Sequence, residues 1–177
     1  MFVLAIGLTA AILQATTADS CAPLIPDAVR QAASQHYPRY ELPRESDNTA
    51  DDIRAFRRSV GGTCLGAAVG RFTGKPTNDY ALLLTEPKSG QTVLVVATQT
   101  TRGWQLDLVH DYGTTGRSRL YVQRLPPGHY VGLQQDADSK PPELTSALPG
   151  VGTGVLEVSA QVFFFRRNRW IVAGLSN

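Results

Sequence analysis

The stretch 79–98, DYALLLTEPKSGQTVLVVAT, contains two apolar runs separated by a short polar joint. The runs span residues 81–84 and 93–96, and the joint, Pro87-Lys88-Ser89-Gly90, has the residue types of a tight turn. Successive side chains of a strand point to opposite faces, so an unbroken apolar run predicts a strand buried on both faces. The stretch therefore predicts two central antiparallel strands, with helices covering one side and a curled sheet covering the other.

Outward from these strands, the pattern predicts short helices on the N-terminal side and more strands on the C-terminal side. Residues 24–37 predict a helix that starts near Pro26, and a second helix follows Thr49, a suitable N-cap. The expected fold class is α+β: a mainly antiparallel, curled β-sheet meander of about seven strands with two short N-terminal helices. The predicted strands span residues 63–70, 80–86, 91–98, 103–109, 118–124, 154–165 and 169–175. The stretch from Leu133 to Val151 is expected to be one long irregular loop.

The overall composition excludes one class of protein and gives no support to another. A chain of 177 residues that is 42% hydrophobic and 18% charged is too apolar to be disordered. Its 17 basic and 15 acidic residues nearly balance, so no strong field favours nucleic acid as a partner.

The N-terminal segment MFVLAIGLTAAILQATTA predicts export. Residues 2–13 are apolar except for Thr9, which is the length of a signal-peptide core and shorter than the roughly 20 residues that span a bilayer. We expect residues 1–18 to be a signal peptide and residues 19–177 to form a single exported domain, periplasmic or secreted, without stable membrane insertion. The alternative for residues 1–18 is a buried N-terminal helix.

The chain has two cysteines, Cys21 and Cys64. In an oxidising compartment two cysteines most simply form a disulfide, which here would join the N-terminal helical part to the first strand. The alternative is a lipidated Cys21, which would leave Cys64 unpaired. Two cysteines and three dispersed histidines show no metal-ligand spacing, so no metal or cofactor is expected.

The segment 71–84, RFTGKPTNDYALLL, resembles the D-F-[DN]-G-[DN]-G-x-x-D-[YF]-A-[VL] segment of FG-GAP/VCBS-type secreted and periplasmic bacterial proteins. In that family an acidic turn binds calcium and leads into a buried strand. Arg71, Thr73 and Lys75 stand here in place of acidic residues, and calcium requires oxygen ligands, so the resemblance implies the fold element without the metal. We expect Asp79 to cap backbone amides of the turn and Gly74 to reverse the chain.

The expected architecture of this chain resembles that of two groups of small periplasmic proteins. One group inhibits lysozymes, and the other comprises immunity proteins that neutralise effectors delivered by neighbouring bacteria. This resemblance implies an exported, non-enzymatic, β-rich domain whose partner is a lysozyme-like hydrolase or an effector.

No catalytic constellation is visible in the sequence, and we expect the protein not to be an enzyme. His36 closes a predicted helix, His110 is followed by Asp111 on an extended chain where neighbours point apart, and His129 lies in a turn that leads into a strand. The glycine-rich stretch 150–154 leads into a strand rather than a helix, so it is interpreted as a flexible approach to that strand instead of a phosphate loop.

Binding is the remaining class of function, and the candidate site is the turn 166–169. Arginine beside aromatic residues is a common composition of protein interfaces, and a projecting basic turn suits an acidic cleft. The predicted protein-binding residues are Arg166, Arg167, Arg169, Phe163 and Phe165, together with the loop 134–149. The two phenylalanines are expected to share the outer face of that strand, which would be either packed or an exposed patch open to a partner.

These observations lead to a functional hypothesis and three alternatives. The hypothesis is a non-catalytic periplasmic protein-binding domain, an inhibitor or immunity protein against a toxic cell-envelope hydrolase. The alternatives are an envelope enzyme whose site is assembled from scattered polar residues, a structural or accessory envelope protein, and, for the basic turn itself, a purely solubilising role.

Overall fold

Helices and antiparallel sheets build the fold in a computed structural model, which describes residues 19–132 and 143–175. The α+β class is confirmed, but the described ranges contain ten strands in three sheets instead of one seven-strand meander. The predicted signal peptide, residues 1–18, lies outside the described residues. The elements are α1 (Asp27–His36), α2 (Ala50–Ser59), β1 (Ala67–Gly70), β2 (Asp79–Thr85), β3 (Thr92–Thr100), β4 (Gly103–Asp111), β5 (Leu120–Leu125), β6 (Gly128–Val131), β7 (Glu143–Ser146), β8 (Gly150–Val155), β9 (Ser159–Arg166) and β10 (Arg169–Leu175).

Both helices form where the sequence predicts them. Pro26 occupies the position before the first residue of α1, and Asp27 complements the positive end of the helix dipole. Thr49 caps α2, because its hydroxyl oxygen accepts a hydrogen bond of 3.2 Å from the amide of Asp52. No described helix is long and apolar enough to cross a membrane.

The first sheet has the order β1-β2-β3-β4, and β2 and β3 are its central pair, as the stretch 79–98 predicts. Only α1 covers the side where both helices were expected, because α2 packs against a strand of the second sheet. Leu83 pairs with Leu94, and the apolar residues of both strands are buried. One face of the sheet, which includes Leu82 and Val95, packs against α1. The other face, which includes Leu83 and Leu94, packs against the second sheet. Strand β4 lies at the free edge.

The second sheet has the order β10-β9-β8-β5, and it corrects the prediction of one strand over residues 154–165. That segment contains the end of β8, a turn and most of β9. Glu157 adopts a left-handed conformation with φ 62°, and the Val158 amide donates to the carbonyl of Val155. The apolar alternation through Leu156 and Val158 therefore crosses a turn, and Val158 is exposed.

The glycine-rich stretch 150–154 is a buried strand rather than a flexible approach to one. A β-carbon at Gly154 would lie 1.9 Å from the carbonyl oxygen of Ser159, and one at Gly150 would lie 2.6 Å from the ring of Phe164. Glycine therefore permits the close approach of β8 to β9.

A third, two-stranded sheet of β6 and β7 covers the outer face of the second sheet. The sequence predicted an irregular loop from Leu133 to Val151, but β7 and the start of β8 lie within that range. Strand β7 has only four residues, too few for its alternation to be distinguished from loop. The remainder of the predicted loop, residues 133–142, lies outside the described residues.

The disulfide between Cys21 and Cys64 is confirmed, with Cα atoms 4.9 Å apart. It joins the N-terminal 3-10 turn to the segment just before β1, and both cysteines are buried beside the core residues that α1 covers. The bond therefore fixes the N-terminal layer to the first sheet.

A polar contact also joins the two large sheets. The hydroxyl of Tyr112, just after β4, is hydrogen-bonded to the hydroxyl of Thr153 on β8, and Thr153 donates to the carbonyl of Tyr121 at 2.7 Å. Burial raises the pKa of Tyr112 to about 12, although the hydrogen bond to Thr153 acts in the opposite direction.

We predict that loss of the disulfide lowers the melting temperature by roughly 10 °C, because closing a loop of this length contributes about 4 kcal/mol at most. The variant Cys21→Ser/Cys64→Ser should show this loss by calorimetry, and reductant should not lower its melting temperature further. Thiol titration of the unreduced wild-type protein should find no free thiol. Two free thiols would contradict the pairing.

We also predict that stability falls between about pH 10 and pH 12, because Tyr112 ionises in the unfolded chain at a lower pH than in the folded one. Below pH 10 the tyrosine is neutral in both states and this contribution is fully present. Denaturant melts across this range should show the fall, and Tyr112→Phe should show a smaller one. An equal fall in wild type and variant would contradict the assignment to Tyr112.

Candidate functional site

The turn before β2, which resembles a calcium loop, is held together by hydrogen bonds to one of its own side chains. Asp79 is fully buried, and its carboxylate accepts hydrogen bonds from the amide of Thr73 at 2.8 Å and from the hydroxyl of Thr73 at 3.0 Å. Gly74 takes a left-handed conformation with φ 77°. The predicted roles of Asp79 and Gly74 are confirmed. Among the described residues, no group of three or more His, Cys, Asp or Glu side chains could hold a metal.

The predicted basic turn is the tip of the β9–β10 hairpin, and we call residues 166–169 the arginine finger. Arg166 pairs with Arg169, and the two residues between them, Arg167 and Asn168, have φ values of 52° and 59°. Two consecutive left-handed residues form the tight turn that matches the twist of a hairpin, and asparagine tolerates this conformation well. The finger is therefore a defined turn in which all four side chains are exposed.

The arginines of the finger have no ion-pair partner among the described residues. The ion pairs within the described ranges lie elsewhere, for example between Arg57 and Glu45 and between Arg117 and Asp47. An arginine side chain loses conformational freedom and gains little when it pairs at an exposed site. Within the described ranges, the guanidinium groups of the finger therefore have no internal carboxylate to pair with.

The aromatic residues beside the finger have different environments. Phe163 is 3% exposed and packs between the two large sheets, so its ring is not available to a partner. Phe165 is half-buried, and its ring centroid lies 5.4 Å from that of Trp170 across the hairpin. Phe163 and Phe165 share one strand face, but it is the inner face toward the first sheet instead of the predicted outer face, packed at Phe163 and partly open at Phe165.

A groove that the sequence did not indicate lies beside the finger. It has a volume of about 620 Å³, and we call it the edge groove, because it lies along β4, an edge strand of the first sheet, and β10, an edge strand of the second. Its other walls come from the turn before β2, from β3 and from the β9–β10 hairpin. The lining residues are Thr73, Lys75, Thr98, Gln105, Leu106, Asp107, Leu108, Phe165, Asn168 and Trp170.

Two residues that line the edge groove carry buried polar atoms without a partner. Thr98 is 3% exposed, and its hydroxyl has no hydrogen-bond partner among the described residues. The indole N–H of Trp170 is also buried and has no partner within the part of the chain that the structure describes. Such groups are rare in folded proteins and cost stability unless a water or ligand satisfies them. Sequence reasoning could not find Thr98, because threonine is an ordinary strand residue.

The three histidines lie apart from the edge groove lining. His36 Nδ1 lies 2.9 Å from the carbonyl oxygen of Ala32. His110 packs edge-on against Tyr112, and the hydroxyl of Thr145 lies 3.0 Å from His129 Nδ1. Each ring therefore has a structural environment of its own, and the three are not brought together.

Comparison with known protein families, with curated protein sequences and with solved structures gave no match. The function must accordingly be argued from the arginine finger, the edge groove and the fold that positions them.

Proposed function

We propose that this protein is an exported, non-catalytic binding domain that engages an acidic protein partner through the arginine finger. The partner class is a cell-envelope hydrolase, and the protein acts as its inhibitor or as the immunity protein against it. The observation that carries the proposal is the set of exposed arginines, without an ion-pair partner among the described residues, on a turn of defined geometry.

The chemistry of arginine favours a carboxylate-bearing partner. A guanidinium group donates two parallel hydrogen bonds to a carboxylate, which gives both strength and orientation. Hydrolases that cleave glycosidic bonds commonly use a pair of carboxylates in an open cleft. A projecting turn with Arg167 at its tip has the shape and charge to enter such a cleft.

The rest of the molecule supports a role for the finger in binding rather than in folding. The hairpin is fixed below the finger by the contact between Phe165 and Trp170, and Phe164 beneath it packs at 5.1 Å from Tyr130. The finger itself adds no packing to these clusters, so its composition is free to serve a partner. The disulfide between Cys21 and Cys64 is typical of proteins in oxidising compartments, as an exported role requires.

The test is a paired charge reversal. We predict that Arg166→Glu/Arg167→Glu weakens binding to the partner ten-fold or more, about 1.4 kcal/mol, while the melting temperature stays nearly unchanged. The matched control is Arg58→Glu/Lys88→Glu, which reverses two exposed charges that have no ion-pair partner among the described residues. This control should bind as the wild type does.

The measurement is affinity capture from periplasmic extract followed by titration and an activity assay of the captured protein. The proposal expects a hydrolase that wild type and control retain, that the finger variant loses, and whose activity falls when wild type is added. A partner that binds the finger variant with undiminished affinity, or a captured protein without hydrolase activity, would overturn it.

A further inference from the structure

We propose that the edge groove is a binding site for a short neutral saccharide, separate from the contact made by the guanidinium groups of the arginine finger, although Asn168 of the finger lines the groove. This inference goes beyond the proposed function and does not depend on it. It rests on the unpaired polar atoms at the groove, on the balance of charge there and on the mixture of aromatic and amide side chains.

The hydroxyl of Thr98 is buried at the edge groove without a hydrogen-bond partner in the described ranges. Thr98 continues the row of Leu94 and Val96 on β3 that faces the second sheet, a position where valine would fit the core without an unpaired polar atom. The other buried threonines have partners: Thr92 is hydrogen-bonded to Thr85 at 2.8 Å. A buried polar group that no protein group satisfies is expected where a ligand completes the hydrogen bonds.

The indole N–H of Trp170 likewise lacks a hydrogen-bond partner among the residues that the structure describes. An indole N–H can only donate, whereas a threonine hydroxyl can donate and accept. A ligand that satisfies both groups would supply an acceptor to Trp170 and either a donor or an acceptor to Thr98. A sugar hydroxyl meets both requirements, because it donates and accepts.

The lining of the edge groove is balanced in charge and contains several polar side chains. Lys75 and Asp107 both line the groove, so their opposite charges give it no net preference for an anion or a cation. Gln105 and Asn168 supply amides that donate and accept, and the Gln105 amide already donates to Asp107 at 2.7 Å. This set matches the many hydroxyl groups of a neutral saccharide better than it matches a carboxylate or an apolar ligand.

The edge groove has the volume of a small-molecule site, and aromatic side chains form one of its walls. A volume of about 620 Å³ lies within the range of roughly 300–1,000 Å³ that is usual for small-molecule sites. Phe165 and Trp170 are both half-buried and border the groove, so they offer apolar surface to the C–H groups of a sugar ring. The edge groove thus combines apolar and hydrogen-bonding surface at one place.

The two tryptophans provide a direct readout. In a ¹⁵N-labelled sample the indole N–H groups of Trp104 and Trp170 give two separate signals, and Trp170→Phe assigns them. Neutral tetrasaccharides built from glucose with β-1,4 bonds, from glucose with α-1,4 bonds and from N-acetylglucosamine are titrated one at a time. We predict that at least one shifts the Trp170 signal saturably, with a dissociation constant of about 1 mM or tighter, and leaves the Trp104 signal in place.

Substitutions at threonine separate binding from folding. Thr98→Val should weaken saccharide binding at least ten-fold without lowering the melting temperature, since it removes a hydroxyl that has no partner in the free protein. The matched control is Thr153→Val, which removes a buried hydroxyl bonded to Tyr121 and Tyr112. That variant should melt at a lower temperature and keep the saccharide affinity.

A second variant tests the groove independently, in case Thr98→Val changes the stability of the fold. Asn168→Gly keeps the left-handed turn, removes an amide from the groove and should also weaken binding. Arg166→Glu/Arg167→Glu should leave saccharide affinity unchanged, which separates this site from the finger.

Three results would overturn the proposal. One is no saturable shift of the Trp170 signal with any of the tetrasaccharides up to about 10 mM, well above the expected constant. Another is wild-type affinity in both Thr98→Val and Asn168→Gly. The third is a shift caused by a hexamer of glutamate and by no saccharide, which would make the groove part of an acidic-protein surface.

Discussion

The pairing of β2 with β3 imposes the constraint on which the rest of the structure depends. Their side chains are apolar on both faces, so the pair is stable in water only if two separate layers cover it. On one side α1 supplies the cover, and the disulfide from Cys21 to Cys64 fixes the N-terminal layer in place. On the other side the second sheet supplies it, and that sheet in turn needs α2 and the β6–β7 sheet on its outer face.

The same arrangement explains where residues remain free to bind. Two stacked sheets of four strands leave β4 and β10 at edges, and the edge groove lies along both strands. The arginine finger projects from the hairpin that ends in β10, beyond the clusters that cover the core. Residues of the finger and of the groove can serve binding because the fold depends little on their identity. Thr98 is the exception, because its buried hydroxyl has no partner among the described residues and therefore costs stability.

The sequence was sufficient for features that depend on local chemistry. The two buried strands, the Thr49 cap, the turn closed by Asp79 and Gly74, and the β9–β10 hairpin were all predicted, because each depends on residues close together in the chain. The disulfide was predictable because only two cysteines are present.

Features that depend on distant neighbours were not predictable. The alternation through Leu156 and Val158 resembles a strand, and only the left-handed conformation of Glu157 shows the turn. Phe163 lies in the core because the second sheet faces the first, and the edge groove exists because β4 and β10 come together. Neither arrangement could be predicted from residues that are close together in the sequence.

Native-state amide hydrogen exchange, measured across a denaturant series, tests the central claim about β2 and β3 most directly. The amides of residues 82–84 and 93–96 should exchange only by global unfolding, with opening free energies equal to the stability of the whole protein. Those of the arginine finger and of β6–β7 should exchange through smaller openings. The account would be contradicted if β8 and β9 stayed protected under conditions where β2 and β3 had already exchanged.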